Sequence, residues 1–184
     1  MKWYLVVISA FLAVDLLIFA LIYNRLIRRR NKVREGWSGI EVQLKRRHDL
    51  IPSLVNVVKG YASHEREVLE EVTAERSAAV KASGAEAAKV AEEKLAGGMG
   101  RLLALIEGYP ELKSDKNYRD LITELVKTED ELQYARRYYN GATRELNNAV
   151  ESFPSNVVAS FFKFQKGVFF EVSSEAERMA PRFS

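Results

Sequence analysis

The chain has 184 residues, a formal net charge of +3 and no cysteine. That length is enough for one folded domain with small additions, and the missing thiols exclude cysteine nucleophiles, cysteine-ligated metals and disulfides. A pI of about 9.0 does not by itself point to nucleic acid, because the excess of positive charge is concentrated between Arg25 and Arg34.

The first element runs from Trp3 to Tyr23 and carries one charge, Asp15. About 21 helical residues rise about 31 Å, the thickness of a bilayer's hydrocarbon core. Trp3, Tyr4 and Tyr23 stand at its ends, where amphipathic rings favour the headgroup region. A cleaved signal peptide fits less well: the apolar run is too long, only Lys2 supplies a basic lead, and Ala20-Leu21-Ile22-Tyr23 is a poor cleavage site. A buried core helix fits poorly too, since the run is apolar all round.

Arg25, Arg28, Arg29, Arg30, Lys32 and Arg34 follow, with no acid before Glu35. Basic flanks stay on the cytoplasmic face. The expectation is a single-pass protein of the cell membrane with its N-terminus outside and its C-terminal domain cytoplasmic. The same six side chains are candidate contacts for anionic lipid. Within the anchor, a lone carboxylate near mid-bilayer is costly, at about 2.5–3.5 kcal/mol. Asp15 is therefore either protonated or paired with another helix. Ser9 and Ala13, four residues apart, offer a small-residue packing face, so Asp15, Ser9 and Ala13 are candidate intramembrane contacts.

From Asn31 to about Ser83 the chain reads as helix. Val33, Trp37, Ile40, Leu44, Arg47, Ile51, Leu54, Val58, Tyr61, Glu65, Val68 and Val72 alternate steps of four and three, and all but Arg47 and Glu65 are apolar. Pro52 is expected to kink or restart the helix near Leu50, and Ser63 to cap a restart. Ser83-Gly84 reads as a turn, with a second helix over Ala85–Gly108 closed by Tyr109-Pro110. Next comes a seam of Leu121, Leu125, Thr128, Leu132, Ala135, Tyr139, Ala142, Leu146, Ala149 and Phe153. Ser114 or Asp115 can cap that helix, and Phe153-Pro154 closes it. A fourth, shorter helix is expected over Asn156 to about Lys166, capped by Ser155; Gly167–Ser184 stays unassigned. No strand pattern is present. The predicted fold is all-α: a transmembrane helix followed by an elongated antiparallel bundle of about four helices. Its segments are 1–24 for the tail and anchor, 25–34 for the basic juxtamembrane stretch, 35–172 for the bundle and 173–184 for the C-terminal tail.

Four blocks carry a family resemblance. They are Trp37-Ser38-Gly39-Ile40-Glu41-Val42-Gln43-Leu44 through Pro52 to His64-Glu65; Arg101-Leu102-Leu103-Ala104-Leu105 with Tyr109-Pro110; Thr128-Glu129-Asp130 through Ala135-Arg136 to Tyr139-Asn140; and Phe153-Pro154-Ser155-Asn156 with Phe169-Phe170-Glu171. In order and over nearly the whole chain, they resemble the LemA family. The resemblance implies a single-pass bacterial membrane protein with a cytoplasmic bundle of four main helices and no established catalytic activity. A magnetosome protein as a distant relative implies membrane-organising work in one branch.

The residues themselves offer little chemistry. His64-Glu65 lacks the second histidine of a zincin helix, Val68 standing in its place. Neither His48 nor His64 belongs to a Glu-x-x-His pair, and each reads as a surface or hydrogen-bonded histidine at a helix kink. Gly97-Gly98-Met99-Gly100 lacks the Lys-Ser/Thr of a phosphate loop; close helix approach or fraying explains it better. Glu92-Glu93 and Glu129-Asp130-Glu131 read as solvated faces, because helical neighbours point apart. Tyr138-Tyr139 and Phe161-Phe162-Phe164 read as core rather than as platforms for bases.

No enzyme, metal or cofactor is indicated, and no nucleic acid or small-molecule substrate. The expected partners are the lipid bilayer, a second copy of the chain, or another membrane protein. The leading reading is a non-enzymatic, membrane-anchored interaction or scaffold protein. The alternative is an accessory or regulatory subunit of a membrane enzyme such as a membrane protease.

Overall fold

The computed structural model describes residues 3–171, and within them every regular element is an α-helix. In order these are α1 (Trp3–Tyr61), α2 (Arg66–Lys81), α3 (Ala85–Ile106), α4 (Pro110–Ser114), α5 (Lys116–Glu151) and α6 (Ser155–Phe161). The expected C-terminal tail, 173–184, and Val172 lie outside the described residues. The chain divides into two compact units. One consists of the chain up to Gly36 with Tyr138–Phe169, the other of Trp37–Arg137 with the chain from Phe170.

In the second unit, α1 and α5 run antiparallel. Gln43 faces Glu131, Arg47 pairs with Glu129 and the Tyr61 hydroxyl donates to Asp115 at the start of α5, so rising numbers on one helix meet falling numbers on the other. The α1 seam is buried at Ile40, Leu44, Ile51, Leu54 and Val58, as its spacing requires. It closes a core with Leu69 and Val72 of α2, Leu95, Leu102 and Ile106 of α3, and Leu112 of α4. Phe170 is completely buried; it packs edge-on to Trp37 with ring centroids 5.5 Å apart, and the Arg136 guanidinium lies 5.6 Å from its centroid.

α1 continues through Pro52 without the restart that the sequence allows near Leu50. Proline removes the N–H that would serve the carbonyl of His48, four residues back. Arg76 of α2 supplies the missing donor: its Nε reaches His48 O at 2.9 Å. The helix instead ends at Tyr61, and α2 starts after Glu65, which makes no side-chain cap; Ser63 does not serve as one.

The α2–α3 hairpin turns at Gly84, whose φ of 82° lies in the left-handed region that glycine tolerates. Further along α3, Gly98 explains its place in the glycine cluster. A Cβ there would overlap the Glu75 carboxylate. Burial pushes the Glu75 carboxyl up in pKa, although Arg101 Nη2, 3.2 Å from Oε1, opposes the shift.

The α3 helix ends at Ile106, and Pro110 opens a short helix, α4, rather than only closing α3. Proline suits a first helical position because its missing N–H has no intrahelical partner there. At the start of α5, Asp115 rather than Ser114 is the cap, its Oδ1 accepting from Tyr118 N at 3.0 Å. That backbone bond, then the one from the Tyr61 hydroxyl, holds the Asp115 carboxyl below its ordinary value.

In the first unit, α1 and α5 are again antiparallel: Glu35 accepts from the Tyr138 hydroxyl, and Arg29 Nη1 donates to Glu145 O at 3.2 Å. Leu26, Ala149, Val158 and Ala159 form its core, with Phe19, Ile22, Tyr23 and Phe164 packed around them. The α6 helix stops at Phe161, short of the expected Lys166, because Lys163 adopts a positive φ of 56°. Phe164 N then bonds Ala159 O and Lys163 N bonds Ser160 O, at 2.9 and 3.1 Å. This pair is a Schellman closure, with lysine at the position glycine usually takes. Ser155 lies inside α6 and donates to Ser152 O instead of capping. Beyond it, Asn147 both donates to Gly167 O (3.0 Å) and accepts from Gly167 N (2.8 Å), while Tyr139 Oη donates to Val168 O at 2.7 Å.

Two outcomes test this account. Arg76→Ala destabilises the wild-type chain by about 1–3 kcal/mol, the cost of an unsatisfied buried carbonyl, and by clearly less when combined with Pro52→Ala, which restores the native donor. Additive effects in a double-mutant cycle of thermal melts would contradict it. Asp115→Ala lowers the melting temperature near neutrality. A carboxyl with a depressed folded pKa stabilises above its unfolded value of about 3.9 and loses that contribution as pH falls through the folded pKa. The gap between variant and wild type therefore closes in strong acid, as melts across pH will show.

Candidate functional site

Two sets of residues stand out, one in each unit. In the first unit, α1 contains an 18-residue window of mean hydropathy 2.6, none of it buried. Trp3, Tyr4, Val6, Val7, Ile8, Phe11, Leu12, Leu16 and Leu17 all point outward. An apolar surface this continuous exceeds what a water-soluble monomer exposes.

Ser9 donates to its own helix at Val6 O, 2.9 Å away, and both Ser9 and Ala13 are exposed. Asp15 is exposed on the same apolar stretch, and no described residue reaches its carboxylate. The structure thus does not bring Ser9, Ala13 and Asp15 to any shared contact. Tyr23 is different. Its ring centroid lies 4.5 Å from that of Phe162 and 6.1 Å from that of Phe164.

The basic residues also divide. Arg29 is held by Glu145 O, and Arg30 stacks over Phe164 at 5.3 Å. Arg25, Arg28, Lys32 and Arg34 are exposed and form no ion pair among the described residues.

Phe161 and Phe162, expected in the core, are exposed. They instead border Phe19 of the apolar run, at 6.1 and 5.8 Å between ring centroids. A Phe-Phe-Lys-Phe sequence just after a proline-led helix was the available signal. Its meaning depended on knowing that α6 packs beside residue 19.

In the second unit a charged network crosses the core. Glu92, expected on a solvated face, is 1% exposed. Its Oε1 lies 2.6 Å from His48 Nε2. Its Oε2 lies 3.3 Å from Arg47 Nη2, near enough for charge attraction although not aligned for a hydrogen bond. Arg47 Nη1 continues to Glu129 Oε2 at 3.1 Å, and Glu129 Oε1 lies 3.7 Å from Arg136. So α1, α3 and α5 are tied through two carboxylates and two guanidiniums, and His48 is a buried hydrogen-bonded histidine inside α1; His64 is exposed. Among the described residues no group of three or more His, Asp or Glu side chains is placed to hold a metal ion. An intact buried network of this kind adds little net stability, but removing one partner leaves the others buried and uncompensated.

A family model described as "LemA family" matches residues 36–184. Over 160 residues the chain is 30% identical to Protein LemA of Metamycoplasma hominis, covering 85% of this chain and 71% of that protein. It is 25% identical over 175 residues to Magnetosome protein MamQ 2 of Paramagnetospirillum magneticum, covering 81% of this chain. To Magnetosome protein MamQ of Magnetospirillum gryphiswaldense it is 23% identical over 80% of its length. The chain spans 64% of the length of each of these two magnetosome proteins.

Glu92→Ala leaves Arg47 and His48 buried without their shared partner and costs about 3–5 kcal/mol, lowering the melting temperature of the detergent-purified chain by about 10 °C. Exposed Glu86 on the same helix provides the comparison, where Glu86→Ala stays within about 0.5 kcal/mol. Equal melting temperatures for the two variants would remove the network from any structural role.

Proposed function

The chain belongs to the LemA family, and from that membership and its exposed apolar run we propose a non-enzymatic, membrane-anchored interaction or scaffold protein. The observation that carries this reading is the unburied 18-residue window of mean hydropathy 2.6 in α1. No described residue of its own unit buries it, and a hydrocarbon core is the environment in which such a surface is stable. The basic residues from Arg25 to Arg34 support an outside N-terminus and a cytoplasmic body. Likeness to proteins named for the magnetosome supports a place in an assembly.

Asp15 favours a second reading, an accessory or regulatory subunit of a membrane enzyme. Its carboxylate sits on the outward face of the apolar run without a partner among the described residues. A helix from another membrane protein, or from a second copy of this chain, would relieve a cost of about 2.5–3.5 kcal/mol.

The two readings part in one experiment. Crosslinking in native membranes followed by mass spectrometry yields self-contacts and several partners for a scaffold, or one stoichiometric enzyme for an accessory subunit. Asp15→Leu should remove the crosslinks that fall within the apolar run; if all persist, Asp15 makes no such contact. Alkaline carbonate washing tests the anchor itself, and release of the chain into the supernatant would overturn it. A reporter fused after Ser184 is expected to be active in the cytoplasm, and activity only outside would reverse the orientation.

A further inference from the structure

On the reading that Trp3–Tyr23 spans a bilayer, we propose that the groove between α1 and the α5–α6 connection is a seat for one anionic phospholipid, flanked by an α6 edge that enters the headgroup region. The groove holds about 500 Å³, within the range of small-molecule sites. Its walls include Ile18, Ile22, Arg25, Arg29, Ser152 and Phe153, and no carboxylate lines it.

The order of those residues on α1 is what selects the ligand. Ile18, Ile22, Arg25 and Arg29 follow one another by four, three and four, so they form a single stripe along the helix. The half of the stripe inside the apolar run is aliphatic, and the half just beyond it is cationic. An acyl chain followed by a phosphate has the same sequence of chemistries along the membrane normal. Arg25 has no partner among the described residues, and Arg29 uses one nitrogen on Glu145 O. Guanidinium groups retain further donors for phosphate oxygens, and the Ser152 hydroxyl can add another.

Depth is set by the rings. Phe161 and Phe162 pack on Phe19, four residues inside Tyr23. With Phe19 in the last turns of the span, the end of α6 lies at the boundary between acyl chains and headgroups. Phe153, Val157 and Phe161 are 82%, 58% and 74% exposed, a strongly apolar edge for water but an ordinary one for that boundary.

The test uses the full chain purified in detergent and exposed to phosphatidylglycerol or phosphatidylcholine, with retained lipid counted by native mass spectrometry. Arg25→Gln with Arg29→Gln should weaken phosphatidylglycerol retention about 25-fold, at about fivefold for each basic residue near the surface. The charge-matched pair Arg28→Gln with Lys32→Gln should retain it as wild type does. Equal losses in both pairs, or equal retention of the two lipids by wild type, would overturn the seat. Because the chain has no cysteine, a nitroxide on Val157→Cys or Phe161→Cys in nanodiscs reports depth without interference. Greater collision with oxygen than with a water-soluble nickel chelate is expected, and the reverse would overturn the α6 edge. Wild-type chain lost to carbonate washing would mark failure of the span itself, whereas chain retained in the pellet but indifferent to headgroup charge would mark failure of the seat alone.

Discussion

A carboxylate removed from water dictates much of the order in the unit built from Trp37–Arg137. Glu92 is nearly inaccessible, and a buried charge without partners would cost several kcal/mol. Arg47 and His48 must therefore face α3 at this level, and Glu129 must meet Arg47 from α5. Apolar seams alone allow helices to slide by a turn, since one leucine resembles the next. A charge whose partners occupy single positions does not allow it. The hydrophobic core supplies the driving force, and the network requires partners from α1, α3 and α5 to meet at single positions.

A neighbouring constraint acts by the same logic on the backbone. Pro52 leaves the His48 carbonyl without its helical donor, and Arg76 restores one. Side chain and main chain of His48 are thus both engaged, the imidazole by Glu92 of α3 and the carbonyl by Arg76 of α2. This explains how a helix with proline at its interior continues to Tyr61.

What could be read from the sequence follows the range of the physics involved. The seams through Ile40–Val58 and Leu132–Ala149, the turn at Gly84 and the capping of α5 by Asp115 all rest on spacing or on a residue's immediate neighbours, and each is present. The apolar run Trp3–Tyr23 was equally legible, its composition being enough. Misreadings arose where a distant residue decides. Pro52 reads as a point of restart unless Arg76 is placed beside it. Glu92 sits in a stretch rich in alanine, glutamate and lysine that resembles a solvated face, and the histidine that holds it is 44 residues away. The early end of α6 carries no sequence signal, because lysine, not glycine, takes the left-handed position. For the candidate lipid site, the basic residues were visible as a group, but only the groove separates Arg25 and Arg29 from the rest.

The segment after α6 shows how little is needed to position an extended stretch. Asn147 offers Gly167 both a donor and an acceptor through one carboxamide, the same pair that a peptide group on an adjacent strand would present. It imitates a single rung of a sheet in a protein whose described elements are all helical. Aspartate, without a donor, or alanine, with neither group, could not stand in. The register of Gly167 is therefore written in one amide and not in a repeating ladder, and the Tyr139 hydroxyl on Val168 O fixes the next residue along.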